Sequence, residues 1–262
     1  MSSLLTQLDE KGVLTLTLKR PDLHNAFDDG LISRLDDALQ EAEQDDRVRV
    51  VILTGTDPSF SAGADLNWMR AMADASEDEK EVDALQLAGL MRRLNYLNRP
   101  TIARINGPAY GGGLGLVACC DITVAVDTAR FGLTEVRLGL APAVISPYVF
   151  RLIGERNARR YFMTGERFDA RRAQELGLVQ EVVPAAGLDN AVSGLVGQLL
   201  KSGPAATLVC KRLTFAVAGH DAEKQLEIDA YTARLIARLR VSAEGQEGLT
   251  AFLEKRPPSW TG

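Results

Sequence analysis

Histidine is almost absent from this 262-residue chain: His24 and His220 are the only two, and they lie far apart in sequence. Cysteine is scarce too, with Cys119, Cys120 and Cys210 alone. A metal centre of the His/Cys type needs more such ligands than this. An odd cysteine count in a chain of this length is no disulfide framework, and a reducing compartment fits it best. Cys119 and Cys120 sit inside an apolar run and read as small core residues. Basic excess is also lacking. The formal charge of −5 argues against a general nucleic-acid binder, because neutralising phosphates calls for a basic face. No apolar run approaches the roughly 20 residues that span a bilayer. The stretch Met1 to Leu8 has neither the basic flank nor the apolar core of a targeting segment. The expectation is a cytoplasmic protein with neither a nucleic-acid nor a membrane partner.

What is present is ordinary in bulk and particular in detail. Hydrophobic residues make up 46% and charged residues 25%, as in a soluble globular protein of one large or two small domains. Val13–Leu18 alternates apolar and polar and reads as a half-buried strand. Asp28–Ala42 has Leu31, Ile32, Leu35, Leu39 and Ala42 at helical spacing behind acids. Strands are expected at Val48–Thr54, Thr101–Ile105, Ile122–Val126 and Leu178–Val183. A helix is expected over Asp78–Leu97, with Val82, Leu85, Met91, Leu94 and Leu97 as its buried face. Further helices are expected at Pro147–Leu152, Asn157–Phe162, Asp169–Leu176, Leu188–Leu200, Pro204–Ala218, Ala222–Leu239 and Ala243–Lys255. Strands alternating with helices imply an α/β core, here over residues 1–195, with a helical C-terminal region over 196–262. Amphipathic helices without their own cover often pack on another subunit, so self-association is expected.

Two loops of small residues carry the chemistry. Ser61-Ala62-Gly63-Ala64-Asp65 and Tyr110-Gly111-Gly112-Gly113 each follow a strand and lead into a helix. Glycine lets main chain approach a ligand closely, and a helix start presents unpaired N–H groups. One loop alone would read as a tight turn. Two of them could aim two N–H groups at one carbonyl oxygen, forming an oxyanion hole built from backbone. Glu135 then supplies the carboxylate for proton transfer beside that carbonyl.

Two rival chemistries fit less well. Gly113 to Ala118 matches the G-x-G-x-x-A of dinucleotide sites, with Asp127 as ribose acid, but only fourteen positions separate Gly113 from Asp127. About 20 are required. Ser61 and His24 could be enlisted for nucleophilic hydrolysis, yet no G-x-S-x-G elbow exists and no spacing pairs a nucleophile with a base.

These blocks closely resemble the crotonase family, the enoyl-CoA hydratase/isomerase superfamily. The resemblance rests on Arg20-Pro21 with Asn25-Ala26-Phe27, Phe60 to Leu66, Asn106 to Gly113 with Cys120-Asp121, and Phe131 to Glu135 with Gly139 and Pro142. It continues through Thr164-Gly165-Glu166, Gly177-Leu178-Val179 and Ala251 to Arg256, so it spans nearly the whole chain. It implies a crotonase-like spiral of ββα units with a helical C-terminal trimerisation region, assembled as a homotrimer or homohexamer. It implies an acyl-CoA thioester substrate, with coenzyme A part of that substrate and no metal or redox cofactor. By position, the oxyanion donors are the N–H groups of Ala64 and Gly112, and Glu135 is the acid/base. Ala64, Asp65, Leu66 and Asn67 would lie along CoA, with Phe252 and Lys255 as a C-terminal pair reaching it. A lysine there suits phosphate as a point charge.

The chain departs from the family pattern twice. Gly115 stands where two-glutamate hydratases carry their first acid. One glutamate suffices to shuttle a proton between two carbons, so a Δ3–Δ2 enoyl-CoA isomerase is an alternative to a hydratase. A non-catalytic CoA-ester-binding protein of this fold is another. Gly115 is also expected to make room for a bulkier acyl group. The second departure, Pro142 to Tyr148, resembles bacterial methylglutaconyl-CoA hydratases, whose substrates carry a second carboxylate. Arg70, Arg137, Ser146 and Tyr148 are its possible partners. The reading is a hydratase of a branched enoyl-CoA.

Overall fold

The computed structural model describes residues 2–261. Among them, nine strands form two sheets. The larger runs β1 (Leu4–Leu8), β2 (Val13–Leu18), β3 (Val50–Gly55), β4 (Thr101–Ile105), β6 (Ile122–Val126) and β9 (Glu181–Val183), in that spatial order. Within this sheet only the β1/β2 pair is antiparallel, with Leu4 opposite Leu18. The parallel registers set Val13 against Val50, Val51 against Thr101, Ile102 against Ile122 and Val124 against Glu181. A parallel sheet is covered on both faces; accordingly every residue of β3 is buried, which is why its sequence is apolar without alternation. The smaller sheet runs β5 (Ala109–Tyr110), β7 (Arg130–Gly132), β8 (Arg167–Asp169). Between Thr101 and Val126 the chain lays a strand in the large sheet, a short strand in the small one, and then a helix, before returning. That is the expected ββα turn.

The helices follow the periodicity closely. They are α1 (Asp29–Gln44), α2 (Leu66–Ala71), α3 (Glu77–Tyr96), α4 (Gly112–Cys119), α5 (Ser146–Thr164), α6 (Ala170–Glu175), α7 (Leu188–Lys201), α8 (Pro204–Val217), α9 (Ala222–Val241) and α10 (Ala243–Leu253). Asp28 caps α1 by accepting from Leu31 N–H. Ser76 and Glu79 form a reciprocal capping box at α3. Two expected helices, Pro147–Leu152 and Asn157–Phe162, are one element broken at Gly154, which takes φ 75°. The expected buried face of α3 is half right. Met91, Leu94 and Leu97 are buried, whereas Val82 and Leu85 are exposed. The inward stripe of the first turns is Lys80, Asp83, Ala84 and Ala88 instead, because α9 lies along that side and offers charged partners. Arg240 pairs with buried Asp83, while Arg234 and Arg238 reach Glu81 and Glu77.

Candidate active site

The two glycine loops meet. Tyr110 N–H donates to Ser61 O at 2.9 Å, and Ser61 forms a parallel bridge with Ala109. Phe27 clamps the first loop, donating to Gly63 O and accepting from Asp65 N–H. Gly63 (φ 88°) and Gly111 (φ 50°) occupy the left-handed region, where a side chain is strained. A Cβ on Gly63 would press to 2.9 Å of Tyr110 O. Among the described residues neither Ala64 N–H nor Gly112 N–H donates to any protein group. Gly112 opens α4, so its N–H has no acceptor inside the helix. Both expected donors therefore stand free at the junction of the loops.

Glu135 arrives from the other sheet. Phe131 of β7 stacks on Phe168 of β8 at 5.9 Å between ring centroids, anchoring the strand. A 3₁₀ turn, Thr134–Leu138, follows, capped by Gly139 in the left-handed region. Gly111 N–H donates to Gly132 O, tying the second glycine loop to the strand that delivers Glu135. A Cβ on Gly111 would lie 3.1 Å from Glu135 Oε1. Glu135 Oε2 is buried and has no hydrogen-bond partner among the described residues. Loss of water around it pushes its pKa up to about 7, against a smaller opposing pull from its own backbone. A carboxylate poised near neutrality suits a general acid/base.

These groups line one cavity of about 190 Å³, walled by Phe27, Ala64, Gly112, Glu135, Ile145 and Phe252 among others. A wider groove of about 540 Å³ between α1 and α3 is lined by charged side chains already paired, such as Arg93 with Asp36 and Arg92 with Asp229. It lacks the glycine loops and Glu135. Of the positions expected along CoA, only Ala64 reaches the cavity. Asp65 is buried, accepts from Asn67 N–H at the start of α2 and pairs with Arg20 at 2.7 Å. It holds the loop in place. Leu66 and Asn67 are exposed and lie outside the cavity wall, as does Lys255. Phe252 lines the cavity from α10 of the same chain.

Several expectations are corrected. Gly115 does not enlarge the cavity: a Cβ there would overlap Ile145 Cγ2 and approach Met91 Cε to 3.1 Å. The space an acid would occupy is taken by isoleucine. None of Arg70, Arg137, Ser146 and Tyr148 lines the cavity. Arg70 and Arg137 are exposed, Ser146 Oγ donates to Ala143 O, and Tyr148 is a buried core residue. The rival chemistries find no support in geometry. Ser61 Oγ is buried and donates to Asn25 O, while His24 Nδ1 meets Ser59 Oγ instead. Gly113 is required by the close passage of Ser61. Among the described residues no His, Cys, Asp and Glu cluster could hold a metal ion, and no helix is long and apolar enough to cross a membrane.

Residues 9–262 match the family described as enoyl-CoA hydratase/isomerase. The chain belongs to that family. It is 33% identical over 266 residues to the 2,3-dehydroadipyl-CoA hydratase of Escherichia coli, covering 100% of both chains. It is 32% identical over 255 residues to the 1,2-epoxyphenylacetyl-CoA isomerase of the same organism, covering 97% of this chain and 96% of the other. The crystal structure of an enoyl-CoA hydratase from Shewanella pealeana superposes with a TM-score of 0.80 at 43% identity, covering 99% of this chain and 96% of that one. Members of the enoyl-CoA hydratase/isomerase family act on acyl-CoA thioesters, and the crotonase-type fold read from the sequence is the fold of this chain.

Sequence reasoning missed the cavity residues supplied by helices: Trp68 and Met69 from α2, Lys80, Asp83 and Leu87 from α3, and Ile236 and Arg240 from α9. A signal existed for α3. Lys80, Asp83, Leu87 and Met91 fall on one helical stripe, but two charges on a face argue for solvent until a partner helix is known.

Proposed function

We propose that this chain is an enoyl-CoA hydratase, adding water across the α,β double bond of a short branched acyl-CoA such as 3-methylglutaconyl-CoA. One observation carries the reading: two unpartnered main-chain N–H groups and one buried, unpaired carboxyl converge on a single cavity. The thioester oxygen would accept from Ala64 N–H and Gly112 N–H, which stabilise the enolate as charge moves onto it. Glu135, ionised, takes a proton from water as the water oxygen bonds to the β-carbon. It returns that proton to the α-carbon, so the carboxylate is regenerated. Proton transfer of this kind needs neither a metal nor a redox group.

A second reading has its own support. With Ile145 filling the place beside Gly115, Glu135 has no partner acid at that position to help hold water, and shuttling a proton between two carbons needs only one carboxylate. That is a Δ3–Δ2 enoyl-CoA isomerase. Purified protein given crotonyl-CoA, 3-methylglutaconyl-CoA and a 3-enoyl-CoA separates the two. Loss of conjugated-thioester absorbance with a gain of one water in product mass supports the hydratase; a 3-enoyl-CoA converted without mass gain supports the isomerase. Glu135→Gln should abolish turnover in either case while CoA-ester binding persists, and near-normal turnover would sink the assignment of Glu135. CoA-ester binding with no turnover of any enoyl thioester would leave a binding protein of this fold. We further infer a homotrimer or homohexamer, with Phe252 and Lys255 near the CoA moiety and Asp65, Leu66 and Asn67 shaping the loop beside it.

A further inference from the structure

Besides Glu135, the cavity wall carries one cluster of charged side chains. Lys80 and Asp83 enter it from α3 and Arg240 from α9. Lys80 is buried, and its Nζ donates to Ala73 O at 2.9 Å and Ala75 O at 2.7 Å. An ammonium has three N–H donors, so one is left over. Asp83, also buried, accepts from Arg240 Nη1 at 2.7 Å. The Arg240 guanidinium lies 6.0 Å from the Trp68 ring centroid, within cation–π range. Burial depresses the Lys80 pKa, aided by repulsion from Arg240. Burial likewise raises the Asp83 pKa against the pull of Arg240.

Of the charged side chains that line this end of the cavity, two are cations and one is an anion, and Asp74 and Glu79 act on Lys80 from outside the lining. Buried charges gain from a partner that meets their open donors, and an enoyl group made only of carbon and hydrogen supplies none. We propose that Lys80 and Arg240 seat a carboxylate at the distal end of the acyl group, so that the cavity selects CoA thioesters of dicarboxylic acids. Lys80 gives its remaining N–H to that carboxylate, Arg240 adds charge and further donors, and Asp83 competes with the carboxylate for Arg240. The inference rests on the acyl-CoA reading of the cavity and names residues different from the four that the sequence suggested.

Binding of saturated thioesters tests it without requiring turnover. Dissociation constants for glutaryl-CoA and valeryl-CoA, which differ chiefly in the terminal carboxylate, would be measured by titration calorimetry. The wild-type chain should prefer glutaryl-CoA by about tenfold or more, the scale of one charge-assisted hydrogen bond. Lys80→Met should bring that ratio to within about twofold of unity. Asp83→Asn, which removes the competing anion, should raise the ratio, an increase that loss of a merely structural contact would not produce. Equal affinities in the wild type, or an unchanged ratio in Lys80→Met, would overturn the proposal. A ratio lowered by Asp83→Asn in a folded protein would overturn it as well. Failure of both thioesters to bind would remove the acyl-CoA reading and this inference with it, whereas a clear glutaryl preference stands whether or not the chain proves to be a hydratase.

Discussion

Glu135 is held against its own hydration. Its ordinary carboxyl pKa is 4.5, and burial moves it to about 7 in the folded chain. The folded state therefore binds the Glu135 proton more tightly than the unfolded state does. Between those two values stability falls as pH rises, and above the folded pKa the full penalty, about 3 kcal/mol, is present. Glu135→Gln should raise the melting temperature by several degrees at pH 8, and that gain should vanish at pH 4, as a pair of thermal melts would show. In the proposed catalysis the sign reverses: the ionised form would take the proton, so kcat/KM should rise with pH through about 7. A main-chain donor can be probed at Gly112. A Cβ there would approach Phe27 Cε2 to 2.8 Å, so Gly112→Ala carries that crowding but keeps the N–H. Gly112→Pro removes the N–H as well. Turnover by the proline variant should fall below that of the alanine variant by about 10²–10³-fold, the usual effect of one oxyanion donor.

Among the elements, α4 and the start of α5 are fitted to each other through the Gly115–Ile145 contact. Gly115→Ala should destabilise the fold by about 1–3 kcal/mol, as overpacking does. Adding Ile145→Ala should recover much of that loss, measurable as a coupling energy in a double-mutant cycle by urea denaturation. This contact also marks where the sequence stops being legible. Gly115 was visible as a departure, but its partner lies 30 positions on, and no local pattern links the two. β2, β3, β4 and β6 of the large sheet were legible because burial on one or both faces leaves an alternating or all-apolar run; β1, an edge strand exposed along most of its length, was not, and β9 begins three residues later than expected. β5, β7 and β8 were not, since two or three residues hold no period. The expected acid/base and donors converge because glycine and the helix start dictate local backbone. Lys80 and Arg240 were missed because their burial depends on α9 crossing α3, which is tertiary information.

At the scale of the whole molecule, α8 presents Val209, Leu213 and Val217 to solvent at helical spacing, with Val217 81% exposed. Phe150, Leu152 and Met163 of α5 are exposed as well. Such apolar surface on a single chain supports the proposed homotrimer or homohexamer. Light scattering should give three or six times the chain mass, and Leu213→Glu should shift the protein toward smaller species. The C-terminal region is joined to the rest through the site. A Cβ on Gly248 of α10 would overlap the backbone of Leu138, the last residue of the turn that carries Glu135.

Ile236, Arg240, Leu249 and Phe252 close the cavity from the same chain that supplies Glu135. We infer from this wall that each chain turns over independently of its neighbours. In hybrid assemblies mixed from intact and Glu135→Gln chains, output should then follow the fraction of intact chains in a straight line. A curve bending away from that line would mean that neighbours share the work.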